Sequence, residues 1–304
     1  MTIVLAGGSG FLGRALHARF AADGHLVRTL TRRPRPGVVT DVAWQPDGDS
    51  GPWAAALADA DLVINLAGQG IADSRWTAAR KQVLRTSRLL PTRSLARALS
   101  SLPPRPRRFI TCSAIGYYGA HGDEVVTEQT PPGDDFLSQL CVDWEGEATA
   151  AASPTTPVAL VRTGIVLHPE NGALKSMLLP FRLGLGGPMG SGRQFMSWIH
   201  LDDWLALVAW VAARGTEPAT DAVSVWNATA PGPVTNAAFA RTLGRVLRRP
   251  AILPAPGFAL RLLLGEFATF LLTGARVLPA SAEGAGFRFR YPALQPALEH
   301  LLAR

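Results

Sequence analysis

The fold is decided by the stretch Thr2-Ile3-Val4-Leu5-Ala6-Gly7-Gly8-Ser9-Gly10-Phe11-Leu12-Gly13. Its short apolar run has the length of a buried strand, and a helical pattern continues from the glycines to about Ala22. Gly7 permits a tight turn, Gly10 leaves room for a phosphate against the backbone, and Gly13 allows the helix to pack closely on the strand. The free amides at the start of the helix attract anions. The stretch therefore predicts a strand, a turn and a helix that hold the pyrophosphate of a dinucleotide.

Further apolar runs alternate with helical segments along the first half of the chain. Strands are predicted at Leu26 to Leu30, Val42 to Trp44, Leu62 to Leu66, Phe109 to Cys112 and Val158 to Val161, and long helices at Ser74 to Ser100 and Phe136 to Ala152. Apolar strands in regular alternation with helices are typical of a parallel sheet covered on both faces. The predicted fold is therefore α/β, a doubly wound parallel sheet of the Rossmann-like type.

The end of the second predicted strand selects the dinucleotide. An NAD site has an acidic residue there for the ribose 2′-hydroxyl, whereas the 2′-phosphate of NADP attracts cations. The chain has Leu30-Thr31-Arg32-Arg33 and no acidic residue between Asp23 and Asp41. Thr31 can donate a hydroxyl, and Arg32 can bind phosphate through two charge-assisted hydrogen bonds. NADP is the predicted cofactor, against the alternative that these arginines are solvated loop charges.

The pattern also predicts two parts of unequal size. Residues 1–168 are expected to form the NADP-binding domain, and strands near 195–200 and 223–227 are expected to return to its sheet. Residues 169–304 are expected to form mainly a smaller C-terminal substrate lobe, with a small terminal segment from about 250. The boundary is placed where a glycine-rich stretch and helices punctuated by proline replace the regular alternation.

The composition limits the functional classes. The 304 residues are 47% hydrophobic and 17% charged, which excludes a disordered chain. The net charge of +7 arises from 28 arginines and only two lysines, Lys81 and Lys175, set against 23 acidic residues. The basic clusters at 105–108 and 245–249 are short and lack interleaved aromatic residues. The excess of arginine is therefore interpreted as a general compositional bias of the chain, and no nucleic-acid partner is predicted.

Neither the N-terminal sequence nor the cysteine content indicates a location outside the cytoplasm. The strand at Thr2 leaves no room for a secretory signal. The most apolar stretch, Leu262 to Ala275, contains Glu266 and is too short to span a bilayer. Cys112 and Cys141 cannot form a disulfide framework, and the scattered histidines predict no metal site. We expect a cytoplasmic protein with a small-molecule substrate, no membrane partner and an oligomeric state that the sequence leaves open.

Several motifs resemble those of the extended short-chain dehydrogenase/reductases, the superfamily of nucleotide-sugar epimerases and dehydratases. They are Gly7 to Gly13, Asn65-Leu66-Ala67-Gly68, Ser113 and Trp198-Ile199-His200-Leu201-Asp202-Asp203. More narrowly, Leu179 to Gly192 and Asp143-Trp144-Glu145 are similar to an atypical subfamily called the epimerase family or NADP-dependent oxidoreductases. The resemblance covers essentially the whole chain, including the segment from about Pro250.

The resemblance implies a larger set of cofactor contacts. With the glycines argued above, the set comprises Gly7, Gly10, Phe11, Leu12, Gly13, Leu66, Ala67, Gly68, Arg88 and Val166. The first five would surround the pyrophosphate, the next three would line the ribose and adenine side, and Val166 would lie near the nicotinamide. A structural interpretation stays open, since Leu66 and Val166 can simply be packed and Arg88 can pair on the surface.

The catalytic residues of the superfamily are only partly present. The resemblance implies a serine that holds the substrate oxygen, a tyrosine that exchanges a proton with it, and a lysine four residues later. Ser113 matches the serine, but the chain has no Tyr-x-x-x-Lys, and Leu137 and Cys141 stand near the expected positions. Tyr117 and Tyr118, in the loop after the fifth strand, are the candidate proton donors, or else they form the pocket wall.

His200 has two interpretations. It precedes Asp202-Asp203 and can be a general acid. An aspartate directly before an apolar helical run, as at Asp202-Asp203, is instead typical of a helix N-cap. The structural interpretation is favoured.

Two functions of different classes follow. The first is an NADP(H)-dependent oxidoreductase, or a nucleotide-sugar-epimerase-like enzyme, that transfers hydride at an oxygen-bearing carbon of a small or sugar-like substrate. The alternative is a catalytically silent NADP(H)-binding sensor or scaffold, which the missing tyrosine-lysine pair allows.

Overall fold

A computed structural model describes residues 1–103, 107–214 and 222–303. The strands are β1 (Thr2–Ala6), β2 (Leu26–Thr31), β3 (Asp41–Ala43), β4 (Leu62–Asn65), β5 (Arg108–Thr111), β6 (Val125–Val126), β7 (Val158–Thr163), β8 (Ile165–Leu167), β9 (Phe195–Met196), β10 (Trp198–His200), β11 (Val223–Ala228), β12 (Val234–Thr235) and β13 (Arg276–Val277). The α-helices are α1 (Phe11–Ala22), α2 (Ala78–Ser101), α3 (Phe136–Thr149), α4 (Gly172–Arg182), α5 (Leu201–Ala213), α6 (Asn236–Leu247), α7 (Gly257–Leu264), α8 (Phe267–Leu272), α9 (Ala280–Gly284) and α10 (Leu294–Leu302). Short 3₁₀ turns cover Pro52–Leu57 and Ile115–Tyr118.

A parallel sheet of seven strands forms the centre of the molecule, in the order β11-β7-β5-β4-β1-β2-β3. The chain winds outward from β1 in both directions, so the predicted doubly wound fold is confirmed. β1 and β4 lie side by side at the point where the strand order reverses. Open α/β sheets bind their ligands at the carboxyl ends of the strands beside such a point.

β1 is buried on both faces, as expected of a central parallel strand. Ile3 and Leu5 belong to a core shared with α1 and α5. Val4 and Ala6 belong to a second core that contains residues of α2. Because successive side chains of a strand point to opposite faces, one apolar run serves both helical layers.

The smaller lobe has its own short strand pairs. β8 pairs with β10, and β9 pairs with β12. The segment near 195–200, which we expected in the large sheet, therefore lies outside it, because β11 already occupies the edge beside β7. The lobe has a separate core formed by residues such as Leu174 of α4, Trp198, Phe239 of α6 and Leu298 of α10.

The last elements tie the lobe to the sheet domain. β13 pairs with β6, and Asp203 of α5 accepts hydrogen bonds of 2.8 Å from the amides of Arg290 and Tyr291. None of the described helices is long and apolar enough to cross a membrane. Arg105, in the basic cluster at 105–108, lies outside the described residues.

Candidate functional site

A cavity of about 780 Å³ opens at the carboxyl ends of the central strands. Phe11 and Leu12 at the start of α1 line it, as does Ser113, two residues after β5. Met177 of α4 and Phe270 of α8 line it from the smaller lobe. The cavity therefore joins the glycine loop of the sheet domain to the lobe.

The structure brings the predicted cofactor residues to one edge of the sheet. Phe11, Leu12, Leu66, Arg88 and Val166 line the cavity itself. The others, which are Gly7, Gly10, Gly13, Thr31, Arg32, Ala67 and Gly68, belong to the ends of β1, β2 and β4 and to the segments that follow them. These three strands are neighbours in the sheet.

The glycine loop has a shape that larger residues would disturb. Gly7 has a φ of +81°, and a Cβ on Gly13 would lie 2.3 Å from the Gly7 carbonyl oxygen. A Cβ on Gly10 would instead have only that oxygen near it, at 3.4 Å. No described side chain caps α1 at Gly10, so its first amides are free to bind an anion. Gly7 and Gly13 fix the backbone, and Gly10 leaves an open face beside these amides.

Thr31 and Arg32 stand at the end of β2. The hydroxyl of Thr31 accepts a hydrogen bond of 3.2 Å from the amide of Arg33. Arg32 is exposed, and its guanidinium has no ion pair or hydrogen bond among residues 1–103, 107–214 and 222–303. Arg35, in the same loop, is bound to Asp41 through two hydrogen bonds of 2.8 Å. Arg32 is therefore available to an anion from outside the chain, whereas Arg35 is already paired.

Asn65 orders the loop after β4. Its Nδ2 donates to Thr92 Oγ1 at 2.7 Å, and its Oδ1 accepts from the amide of Ala67 at 3.0 Å. This turn directs Leu66 into the cavity wall. A Cβ on Gly68 would lie 3.2 Å from the guanidinium carbon of Arg88, so the loop and α2 approach closely there.

Arg88 is held at the cavity wall by backbone groups. Its guanidinium donates to the carbonyl oxygens of Leu84 at 3.1 Å and Gln69 at 2.9 Å, and it lies 5.4 Å from the ring centroid of Trp144. Burial lowers the pKa of Arg88. Arg88 makes no ion pair with a residue in 1–103, 107–214 or 222–303, and it lines the cavity instead of lying in a surface pair.

Ser113 offers a polar group to the cavity. It is only 2% exposed, and its Oγ makes no hydrogen bond within ordinary distance and angle limits to a described residue, although the Cys141 thiol is a near neighbour. Leu137 and Cys141, which stand near the positions of the superfamily tyrosine and lysine, also line the cavity. Burial, reinforced by the charge of Glu145, raises the pKa of Cys141 to about 12. The thiol is therefore neither an acid nor a nucleophile near neutral pH.

The geometry corrects the interpretation of the two tyrosines as proton donors. Tyr118 is fully buried, and its hydroxyl donates to Asn227 Oδ1 at 2.7 Å and accepts from Arg162 at 3.0 Å. Burial raises the pKa of Tyr118 to about 12, against the opposing effect of the Arg162 guanidinium. The Tyr117 ring centroid lies 3.3 Å from the guanidinium carbon of Arg162, and neither tyrosine lines the cavity. Both rings contact a buried arginine instead of facing the site.

The smaller lobe supplies wall residues that the sequence did not reveal. Lys175 and Met177 of α4, Gln194, and Phe270 and Leu271 of α8 line the cavity. Lys175 is one of two lysines in the chain, and the rarity of lysine is the one sequence feature that could have drawn attention to it as a cavity residue. For the other four residues, the local sequence does not distinguish a position in a cavity wall from a position in a buried core.

His200 has a structural role in the described chain. It is 1% exposed, and its Nδ1 accepts a hydrogen bond of 3.0 Å from the amide of Asp202. The N-cap of α5 is therefore the histidine and not an aspartate as predicted. Its Nε2 lies 3.0 Å from Nδ1 of His300, and its ring stacks on Tyr291 at a centroid distance of 4.0 Å.

This buried histidine is expected to make folding sensitive to acid. Burial lowers the pKa of His200 to about 4, below about 6.5 for an unfolded chain. The unfolded protein therefore binds more protons between these values, so the free energy of unfolding should fall as the pH drops from about 6.5 to about 4. Urea unfolding across this range should show a weaker pH dependence in His200→Asn, whose amide can still cap α5. Equal pH dependence in both proteins would contradict the assignment.

A parallel sheet with a glycine loop beside its switch point and a cavity at the strand ends defines the Rossmann-like class. The model of the NAD dependent epimerase/dehydratase family matches residues 3–225, and a model for a domain of unknown function matches residues 255–301. The chain belongs to the NAD dependent epimerase/dehydratase family. This confirms the resemblance to the extended short-chain dehydrogenase/reductases that the motifs indicated.

Relatives match along the whole chain. Epimerase family protein SDR39U1 of Homo sapiens is 37% identical over 307 residues, covering 100% of both chains. Epimerase family protein ML0860 of Mycobacterium leprae is 40% identical, covering 99% of this chain and 96% of the relative. The crystal structure of the human protein (isoform 2) with NADPH has a TM-score of 0.88 at 34% identity and covers 99% of each chain. A nucleoside-diphosphate sugar epimerase structure from Corynebacterium glutamicum has a TM-score of 0.76 at 32% identity, covering 99% of this chain and 58% of that one.

Proposed function

We propose that this protein is an NADP(H)-dependent oxidoreductase or epimerase-like enzyme that transfers hydride at an oxygen-bearing carbon of a small substrate. One observation carries the proposal. A single cavity extends from Phe11 and Leu12 at the glycine loop to Ser113, whose buried Oγ makes no hydrogen bond of ordinary geometry to a described residue. Cofactor and substrate groups can therefore meet inside one cavity.

The residues present fit NADP(H). The open face at Gly10 and the uncapped amides of α1 suit the pyrophosphate. Arg32, unpaired within the described chain, suits the 2′-phosphate, and no acidic residue stands there to favour NAD. The human relative with NADPH supports the same cofactor for this chain. Leu66 and Val166 would pack against the bound cofactor from the cavity wall.

When bound, NADPH supplies a hydride, and the residues of the chain position the substrate and exclude water. Ser113 Oγ would donate a hydrogen bond to the oxygen of the reacting carbon, because it is buried and faces the cavity. Leu137 and Ile115 would exclude water from that region. Because the superfamily tyrosine and lysine are absent, the proton that accompanies the hydride would come from Ser113, from water or from a group of the substrate itself. Lys175, which lines the lobe side, would orient a polar end of the substrate.

The cavity wall favours a substrate with a substantial apolar part. Beyond the proposed cofactor contacts, its apolar residues include Ile71, Ile115, Leu140, Met177, Met189, Met196, Phe270 and Leu271. Apolar walls with a few placed polar groups are usual for small-molecule sites. A carbonyl or alcohol carried on an apolar skeleton fits this lining better than a sugar, whose hydroxyls would need many more partners.

Replacement of Ser113 tests the proposal. We expect the wild-type protein to bind NADPH and to turn it over with members of a panel of apolar and sugar-like carbonyl compounds. Ser113→Ala should lower kcat/KM about 100-fold or more, because one donor to the reacting oxygen is lost, while NADPH affinity stays within about twofold. Ser176→Ala is the matched control, since Ser176 lines the lobe side of the same cavity, and it should retain most of the activity.

The second candidate function is a catalytically silent NADP(H)-binding sensor or scaffold. It is favoured by the placement of Leu137 and Cys141 in the cavity wall, where the superfamily has its tyrosine and lysine. Tight NADPH binding without turnover across the panel would select it over the enzyme. The cytoplasmic location stays a prediction, because one relative, from Arabidopsis thaliana, is named as chloroplastic.

A further inference from the structure

The smaller lobe exposes an apolar patch that its own core does not cover. The patch consists of Leu179, Leu183, Leu185, Ile252, Leu253, Phe258, Leu262 and Leu263. These are eight of the thirteen large hydrophobic residues that are exposed in the described chain. α7 is the clearest case, because none of its residues is buried, and Phe258 and Leu262 are each 75% exposed. A helix this apolar normally packs into a core or against a partner.

Two chain segments form the patch and run beside each other. The amide of Leu253 donates to Gly186 at 3.2 Å, and the amide of Ala255 donates to Pro188 at 2.9 Å. A Cβ on Gly187 would lie 2.1 Å from the Leu253 carbonyl oxygen, so the two backbones touch. α7 begins directly after this contact, at Gly257. The exposed side chains before α7 and those on α7 are therefore neighbours on one region of the lobe.

The two longer stretches that contain these segments, residues 171–201 and 222–265, carry the positive charge of the whole protein. Residues 171–201 and 222–265 contain no aspartate or glutamate, and they hold eight basic residues: Lys175, Arg182, Arg193, Arg241, Arg245, Arg248, Arg249 and Arg261. The rest of the chain has 22 basic and 23 acidic residues. The arginines are spread along the chain, as the sequence suggested, but the acidic residues that would balance them are missing here.

These eight cations are exposed and have no ion pair within the described residues. Three of them adjoin the patch directly. Arg182 precedes Leu183, and its carbonyl oxygen accepts a hydrogen bond of 3.1 Å from Arg249 Nε. Arg261 lies on α7 between the exposed residues Phe258 and Leu262. The patch therefore combines apolar side chains with an uncompensated basic rim.

We propose that this patch docks the protein onto an anionic lipid surface. Phe258, Leu262 and Leu263 would enter the boundary between headgroups and acyl chains, and Arg182, Arg249 and Arg261 would meet the lipid phosphates. An apolar helix beside exposed arginines is typical of interfacial binding. α7 itself contributes Arg261, and Arg182 and Arg249 lie on the neighbouring segments. A second copy of the chain is disfavoured as the occupant, because a twofold contact through this face would bring basic rims together.

The proposed docking surface adjoins the cavity. α8 follows α7 after Gly265 and Glu266, and its residues Phe270 and Leu271 line the cavity. α4 likewise contributes Met177 to the cavity and Leu179 to the patch. A docked protein would thus hold the cavity wall close to the lipid.

Vesicle sedimentation tests the proposal with the full-length protein. We expect the protein to bind vesicles containing roughly a third phosphatidylglycerol at least ten times more tightly than pure phosphatidylcholine vesicles, and to be released by added salt. The double variant Phe258→Ser with Leu262→Ser should lose at least tenfold in affinity. Val39→Ser is the matched control, since Val39 is 95% exposed outside the patch, and it should bind like the wild type.

A charge variant keeps the test independent of the apolar substitutions. Arg182→Glu with Arg249→Glu should abolish the preference for anionic vesicles, whereas Arg288→Glu, at an exposed position outside the two segments, should preserve it. The proposal is overturned if the wild type ignores anionic vesicles, or if the Phe258 and Leu262 variant, checked for folding by circular dichroism, binds them unchanged. Sedimentation velocity that shows a dimer, broken by that variant and without vesicle binding, would also overturn it in favour of a second copy.

Discussion

Replacing Glu145 with glutamine should lower the free energy of unfolding by about 3–5 kcal/mol, the range observed when one partner of a buried ion pair is removed. Glu145 on α3 receives two hydrogen bonds from the Arg162 guanidinium, at 2.9 and 2.8 Å. The side chains are only 7% and 5% exposed. Burial alone would lower the pKa of Arg162, but the Glu145 carboxylate raises it above its usual value. In the variant the guanidinium would still be charged, because arginine is not deprotonated in proteins near neutral pH, and it would have lost its counter-ion.

The same helix offers a matched control. Glu147 also pairs with an arginine, Arg93, but that pair lies nearer the surface, with the arginine side chain 38% exposed. Glu147→Gln should cost less than about 1 kcal/mol, as is usual for exposed pairs. Both variants can be compared with the wild type by urea unfolding monitored by circular dichroism. Equal losses in the two variants would contradict the role given to burial, and a neutral Glu145→Gln would show that Arg162 finds other partners.

The fold could be predicted because its signals are local. The central strands β1, β4 and β7 contain short apolar runs, and Gly7 to Gly13 carries its backbone requirements within seven residues. The cavity positions of Phe11, Leu12 and Leu66 follow directly from that topology, because the residues after β1 and β4 must meet at one sheet edge. Family motifs then placed Arg88 and Val166, which no local pattern would have selected.

The misread tyrosines show where local reasoning ends. From sequence, Tyr118 stands in a loop after a central strand, where a phenol can face a ligand. The structure instead joins its hydroxyl to Arg162 and Asn227, which are 44 and 109 residues away along the chain. Nothing near Tyr118 in sequence announces these partners. The pairing of β10 with β8 could not be predicted from the alternation of strands and helices, because a short strand can pair with more than one sheet edge.

The basic, apolar lobe surface was hidden for a different reason. The net charge of +7 is a sum over the whole chain. The positions of the arginines alone suggest an even distribution of charge, because they do not show where acidic residues are missing. Exposure of α7 was equally invisible, because its apolar sequence fits a buried helix as well as an interfacial one. Both features required burial to be known residue by residue.

Replacing Arg32 with alanine should weaken NADPH binding about 10- to 100-fold, if the proposed cofactor is right. A charge-assisted hydrogen bond contributes about 1.5–3 kcal/mol, and each 1.4 kcal/mol is a factor of ten in affinity. NADH lacks the 2′-phosphate, so its affinity should change less than about threefold. Titration calorimetry with both cofactors measures both affinities, and the discrimination between the cofactors should shrink by the factor lost for NADPH divided by the factor lost for NADH.

Arg35→Ala is the matched control, because it removes the same charge from the same loop. Its guanidinium is already bound to Asp41, so a general change of electrostatic potential is the main effect that the cofactor would feel. That effect is screened between exposed charges at physiological salt. NADPH affinity in Arg35→Ala should therefore stay within about twofold of the wild type. If the two variants lose NADPH equally, or if Arg32→Ala weakens NADH as much as NADPH, then Arg32 does not bind the 2′-phosphate, and the choice of NADP over NAD loses its main support in this chain.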